Sequence, residues 1–233
     1  MDIERKKKPG VSRRTIAAVA FDLDGLMFNT EDIYDDVLHE MLLRRGHSFT
    51  RDLKIRMMGL PGPQAARVMI EAHGLDETPA ALLDEAHRLL AGALPGRLQP
   101  MPGLLELLAH IESTGLPKSV ATSSSPIFAR TALELCQLAE RFDFVLTAED
   151  VEQGKPHPDI YIESARRHGI ETANLLVLED SLTGSRAAAA AGTIAVAVPG
   201  HHSADQDFAH VDYCVESLAD AGLRQMIAAG QTQ

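Results

Sequence analysis

The stretch Ile16-Ala17-Ala18-Val19-Ala20-Phe21-Asp22-Leu23-Asp24-Gly25-Leu26-Met27-Phe28-Asn29-Thr30 decides how the chain is read. Its first six residues are continuously apolar, the pattern of a strand buried on both faces of a parallel sheet. Two carboxylates separated by one leucine follow at once, and then a glycine. Like charges this close to an apolar strand repel one another and lose hydration, so a compensating group must lie nearby.

Working outward, the same kind of apolar run recurs at Pro117–Thr122, Phe142–Leu146, Asn174–Leu178, Thr193–Val198 and, more weakly, Tyr213–Val215. Helical patterns alternate with these runs at Pro102–Ser113, Pro126–Leu138, Asp159–Arg167, Leu182–Ala191 and Ser217–Ala228. Such alternation implies right-handed crossovers and an α/β fold, a Rossmann-like parallel sheet with helices on both faces. Between Thr30 and Met101 the strand signal disappears, and amphipathic helices are expected at Glu31–Arg45, Pro63–His73 and Ala80–Ala93. The expected organisation is a discontinuous α/β core, residues 1–31 with 101–233, and an inserted all-helical domain, residues 32–100.

Bulk properties narrow the function classes. The 233 residues carry a formal charge of -11, which argues against a nucleic-acid or anionic-membrane surface. The two cysteines, Cys136 and Cys214, are far apart and suit reduced thiols in a cytoplasmic protein. The basic start, with Lys6-Lys7-Lys8, has no apolar segment after it and reads as a solvated tail. No segment is long and apolar enough to span a membrane. A monomer, or at most a weak dimer, is expected.

In open parallel sheets, ligands bind beyond the carboxyl ends of the strands. Asp22 and Asp24, Thr122-Ser123-Ser124, and Glu179-Asp180 all fall there, with Lys155 in the loop Gly154-Lys155-Pro156-His157-Pro158-Asp159. Taken singly, each has an ordinary explanation as a helix cap or a turn. Together they are chemically complementary. Converging carboxylates need a cation, and hard oxygen ligands select Mg²⁺. A lysine and short hydroxyl residues beside that cation make an anion site suited to phosphoryl transfer. The first carboxylate would attack phosphorus, the second would carry the proton, and Lys155 would offset charge on the phosphoryl oxygens.

These segments, in this order, resemble the motifs of the haloacid dehalogenase superfamily, and the helical insertion resembles its small cap. The resemblance implies Asp22 as nucleophile and Asp24 as general acid/base. It implies Mg²⁺ held by the Asp22 and Asp180 carboxylates and the Asp24 backbone carbonyl, with Glu179 as a further ligand or acting through water. It also implies a phosphate cradled by Thr122 and Ser123, and carboxylates kept ionised by nearby positive charge. Family members that cleave carbon–halogen bonds lack an aspartate matching Asp24, so Asp24 points to phosphate esters and to a small phosphorylated metabolite as partner. The sequence is most similar to the pseudouridine 5'-monophosphatase and β-phosphoglucomutase-like branch. A phosphomutase is the rival enzyme, but Tyr34 and Gly62 stand where that branch carries a histidine and an arginine, and Met58-Gly59-Leu60-Pro61-Gly62-Pro63 is uncharged. A receiver-like phosphoacceptor is the non-enzyme alternative, although receiver domains lack both the insertion and Asp24. Asn29 departs from the aspartate most relatives carry. Glu31, Tyr34, Met58 and Ser124 are candidate substrate contacts, with cap packing an equal reading for the methionine. His157 and the pair His201-His202 read as exposed loop positions.

Overall fold

The computed structural model describes residues 14–58, 60 and 62–230; the basic tail and two positions of the uncharged segment, Gly59 and Pro61, lie outside the described residues. The chain divides into two compact units, one ending at Asn29 and resuming at Gln99, the other running Thr30–Leu98. These divisions fall at 29/30 and 98/99, two residues before the expected 31/32 and 100/101.

The first unit is built on six parallel strands, β1 (Ala18–Phe21), β2 (Lys118–Ala121), β3 (Phe144–Leu146), β4 (Leu175–Glu179), β5 (Ile194–Ala197) and β6 (Tyr213–Cys214). Their order is β3-β2-β1-β4-β5-β6. The chain leaves β1 toward one edge and later returns to build toward the other, so β1 and its neighbours form a switch point open at their carboxyl ends. The register sets the site: Phe21 lies opposite Val120 on one side and Leu178 on the other. Asp22, Thr122 and Glu179 therefore emerge at nearly one level.

Alanine decides how closely the helices approach the sheet. Ala18, Ala20, Ala195 and Ala197 face the cluster that holds Ile160, Tyr161 and Ala165 of α7 (Asp159–His168) and Ala187 and Ala188 of α8 (Leu182–Ala190). Small side chains on both partners allow close contact, which accounts for the alanine run. The alternate strand residues Val19, Phe21, Leu176 and Leu178 are fully buried as well, so both faces of the sheet are covered.

Several boundaries differ from the sequence reading for local reasons. β3 begins at Phe144, because the Asp143 side chain and backbone pair with the Lys118 backbone in place of a ladder residue. The helix α6 (Pro126–Leu135) stops early, with Gln137 in the left-handed region at φ 56°. The last helix (Ala221–Ala229, here α9) starts at Ala221, where Asp220 accepts from the backbone N–H groups of Gly222 and Leu223.

The second unit packs α1 (Thr30–Arg44), α2 (Arg51–Met57), α3 (Gly62–His73) and α4 (Pro79–Ala93) around Ile33, Met41, Leu53, Met69, Leu82 and Leu90. Helix α2 went unseen in the sequence because it spans under two turns, although Thr50 caps it by accepting from Leu53 N–H. Arg45 ties α1 to α4 by forking onto Glu77, at 2.8 and 2.9 Å, and onto Glu85. Among the described residues no helix is long and apolar enough to cross a membrane.

Gly103, at φ 87°, opens α5 (Leu104–Thr114), and a Cβ there would lie 2.2 Å from the Ala219 backbone nitrogen. Left-handed backbone and overpacking both penalise any side chain at this position. Gly103→Ala is expected to lower the unfolding free energy by about 2–4 kcal/mol. Urea denaturation should show a lower midpoint at unchanged slope.

Candidate active site

Asp22 follows β1 directly and its backbone N–H donates to Leu178 O at 3.0 Å, which fixes the carboxylate at the sheet end. Lys155 reaches it from the loop after β3. The ammonium donates to Asp22 Oδ1 at 2.5 Å, Glu179 Oε1 at 2.6 Å and the Ala121 carbonyl at 2.9 Å, so its donors satisfy three strand ends at once. The lysine side chain is only 5% exposed. Burial alone would lower its pKa, but Asp22 and then Glu179 outweigh that and hold it well above the ordinary value.

Glu179, the last residue of β4, is held on every side. Oε1 also accepts from the Tyr161 hydroxyl at 2.6 Å, and Oε2 accepts from the Ser181 hydroxyl at 3.1 Å. The Tyr161 ring lies beneath the ammonium, 5.2 Å from its centroid, adding a cation–π contact. Behind the carboxylate sits Gly184 of α8, where a Cβ would come within 1.8 Å of Glu179 Oε1. A glycine in a helix interior is costly, and here the carboxylate occupies the space a side chain would fill.

Asp180 joins Asp22 and Glu179 in a buried cluster whose donor oxygens all lie within 4.8 Å of one another. Three carboxyl groups therefore face one ammonium. Burial pushes the Asp22 carboxyl well above the usual carboxylate range; Glu179 adds to this and Lys155 opposes it. The sequence leads one to expect carboxylates kept ionised by nearby positive charge; in the protein alone, Lys155 opposes the effect of burial on Asp22 without outweighing it. The excess of two carboxyl groups and the all-oxygen donor set fit a divalent cation such as Mg²⁺, with Asp22, Asp180 and Glu179 as the side chains available to hold it.

Asp24 has different company. Its Oδ2 accepts from Ser124 Oγ at 2.6 Å and Thr122 Oγ1 at 3.3 Å, and Thr122 Oγ1 in turn accepts from Ser124 N–H at 3.0 Å. Gly25, at φ 76°, turns the chain so that its N–H donates to Phe28 O at 3.0 Å, while Met101 N–H donates to Met27 O at 2.8 Å. Ser123 is exposed in the loop between β2 and α6.

The structure thus brings Asp22, Lys155, Glu179 and Asp180 into one cluster and Asp24, Thr122 and Ser124 into a second, with only Leu23 between Asp22 and Asp24. Glu31, Tyr34 and Met58 belong to the helical unit, where they line a single cavity of about 250 Å³. His157 pairs with Asp159 at 2.8 Å with its side chain 40% exposed, and His201 is an exposed turn residue. Sequence reasoning missed Tyr161 and Gly184. The available signal was a glycine interrupting the expected helix Leu182–Ala191.

The family model for haloacid dehalogenase-like hydrolases matches residues 19–198. A probable pseudouridine-5'-phosphatase of Saccharomyces cerevisiae is 33% identical, covering 79% of this chain and 83% of that protein. A bifunctional riboflavin kinase/FMN phosphatase of Arabidopsis thaliana is 28% identical over 91% of this chain, which spans only 56% of that longer protein. The crystal structure of CbbY from Rhodobacter sphaeroides in complex with phosphate superposes with a TM-score of 0.77 at 25% identity, covering 89% of this chain and 96% of that one.

Gly184→Ala is expected to drive the Glu179 carboxylate from its position and to cost about 1–3 kcal/mol. Tyr161→Phe, which strips one donor from the same buried oxygen, is expected to cost about 1.5–3 kcal/mol. Because both act on Glu179, the double variant should lose less than the sum, measured by thermal or urea unfolding.

Proposed function

Since the chain belongs to the haloacid dehalogenase-like hydrolases, we propose that it is a Mg²⁺-dependent phosphatase that hydrolyses a small phosphomonoester, a sugar phosphate or nucleoside monophosphate, through an aspartyl-phosphate on Asp22. The observation that carries this reading is the pair of environments on either side of Leu23. Asp22 meets an ammonium at 2.5 Å, and Asp24 meets two hydroxyls. The names of the matched relatives, a pseudouridine-5'-phosphatase and an FMN phosphatase, support phosphatase activity on small phosphorylated substrates.

Asp22 attacks phosphorus through a carboxylate oxygen, the bond between phosphorus and the alcohol oxygen breaks, and Asp24 gives its proton to the departing oxygen. Asp24, now a carboxylate, takes a proton from the water that attacks the phosphoenzyme. The phosphorus–Asp22 bond then breaks, releasing inorganic phosphate and restoring both side chains. Thr122 and Ser123 cradle the phosphoryl oxygens together with Lys155, which holds Asp22 in line and offsets their charge. Asp22, Asp180, the Asp24 backbone carbonyl and Glu179 would hold Mg²⁺, which would supply Lewis-acid stabilisation of the same oxygens. A phosphomutase would need a further positive group to hold a second phosphate. Tyr34, at the position where that branch carries histidine, has its pKa raised by burial and then by Glu31, so it stays a neutral phenol.

Asp22→Asn is expected to abolish phosphate release while the protein remains folded by circular dichroism; substantial residual turnover would show that Asp22 is not the nucleophile. Asp24→Asn is expected to cost about 10²–10⁴-fold in kcat on alkyl phosphates and clearly less on p-nitrophenyl phosphate, whose leaving group needs no proton. Equal losses on the two substrates would remove the acid role from Asp24.

A further inference from the structure

Two helices of the helical unit end in the same way. After α1 comes Arg45-Gly46-His47, and α3 closes on His73-Gly74-Leu75. Gly46 and Gly74 take the left-handed conformation, at φ 75° and 62°. The His47 N–H donates back to Leu42 O at 2.8 Å and the Leu75 N–H to Ile70 O at 3.1 Å, the closing bonds of a glycine-capped helix end. Each cap sets a histidine at the negative end of its own helix, where a cation is favoured.

The two imidazoles meet. Their ring centroids lie 4.6 Å apart, with the planes inclined at 37°. Both residues are partly buried, and Nε2 of His73 is buried with no hydrogen-bond partner among the described residues. A buried nitrogen of this kind is costly unless some group completes it. Protonation is a poor way to do so, because burial and then the His47 ring push the His73 pKa below its ordinary value. A neutral imidazole keeps a lone pair, and that is the form that binds metals.

Nearby charge does not oppose a cation. Arg45, two residues from His47, is committed to Glu77 and Glu85, which outnumber it. The spacing also suits one ion shared by the rings. With metal–nitrogen bonds of about 2.0–2.1 Å and a tetrahedral angle, two ligating imidazoles hold their centroids roughly 5 Å apart. The rings of His47 and His73 need only a small side-chain rotation to reach that separation.

We propose that His47 and His73 form a second metal site, within the helical unit, for a divalent cation of the Zn²⁺ type. His73 Nε2 and one nitrogen of His47 ligate the ion, and water fills the remaining positions. Imidazole ligands suit Zn²⁺, Ni²⁺ or Cu²⁺ and carboxylates suit Mg²⁺, so this site and the Asp22, Glu179 and Asp180 cluster sort cations by chemistry. A bound ion ties the C-terminal ends of α1 and α3 together and stabilises the helical unit.

The test follows the imidazole ¹H–¹⁵N NMR signals of the untagged, ¹⁵N-labelled full chain, assigned through the bond to each Cβ. ZnCl₂ is added at neutral pH with MgCl₂ present throughout. The His47 and His73 signals are expected to move along one binding curve, while MgCl₂ alone moves neither. His47→Gln and His73→Gln are each expected to weaken the response of the remaining imidazole roughly tenfold or more. Lowering the pH to about 5.5 is expected to weaken binding, as protons compete for the same nitrogens. Unmoved signals, movement of only one of them, or a His47 response unchanged by His73→Gln overturns the site. The wild-type curves decide by themselves where a variant does not fold, because two ligands of one ion must saturate together.

Discussion

The site hangs on one buried ammonium. Lys155 touches the ends of β1, β2 and β4 together, through the Asp22 carboxylate, the Ala121 carbonyl and the Glu179 carboxylate. Three carboxyl groups cannot be desolvated side by side without positive charge among them, and Lys155 supplies that charge at the strand ends. Around it the structure keeps several otherwise costly features. A tyrosine hydroxyl is buried to reach Glu179, and a glycine is kept in a helix interior to make room for the same carboxylate. A serine that caps α8 also donates to Glu179 from its hydroxyl. Each of these would be a defect elsewhere; here each fixes one oxygen of one carboxylate.

The sheet order explains why such distant residues can meet. A parallel strand can deliver a functional group only at its carboxyl end if the next element is to leave cleanly for a crossover. With β1 between β2 and β4, three loops open at the same edge. Register then does the fine positioning, since a one-residue slip of β4 would turn Glu179 to the other face of the sheet. The alanine-rich contact with α7 and α8 keeps those helices close, and α7 brings Tyr161 beneath the lysine.

This division of labour also explains what could be read from the sequence. Six buried strands announce themselves as apolar runs because both faces are covered, and the polar residues that end them are conspicuous by contrast. Asp22, Thr122, Glu179 and Asp180 stand out for that reason, whereas Asp24 and Lys155 lie in the loops that follow. Tyr161 does not stand out, because a tyrosine on the apolar stripe of a helix looks like core, and its hydroxyl partner lies 18 residues away. Gly184 was legible only as an oddity. Helix and strand ends moved where a side chain took over a backbone hydrogen bond, as Asp220 and Asp143 do, which hydrophobic periodicity cannot register. The cavity of the helical unit arises only once four helices come together, so Glu31, Tyr34 and Met58 could be suspected singly but not seen to share a wall.

The two aspartates of the opening stretch carry the last step. They are two residues apart, yet Asp22 is bound into a network of charges and Asp24 into a network of hydroxyls. A carboxylate pinned by an ammonium has a fixed orientation and one oxygen held away from solvent, which suits attack along a defined line. Asp24 instead accepts from two hydroxyls, which orient the carboxyl to which the proposed mechanism gives the proton transfers. Leu23, fully buried between them, anchors the segment in the core. One apolar residue thus lies between two chemically identical side chains to which the proposed mechanism gives different roles, and Gly25, in the left-handed region, turns the chain just after them.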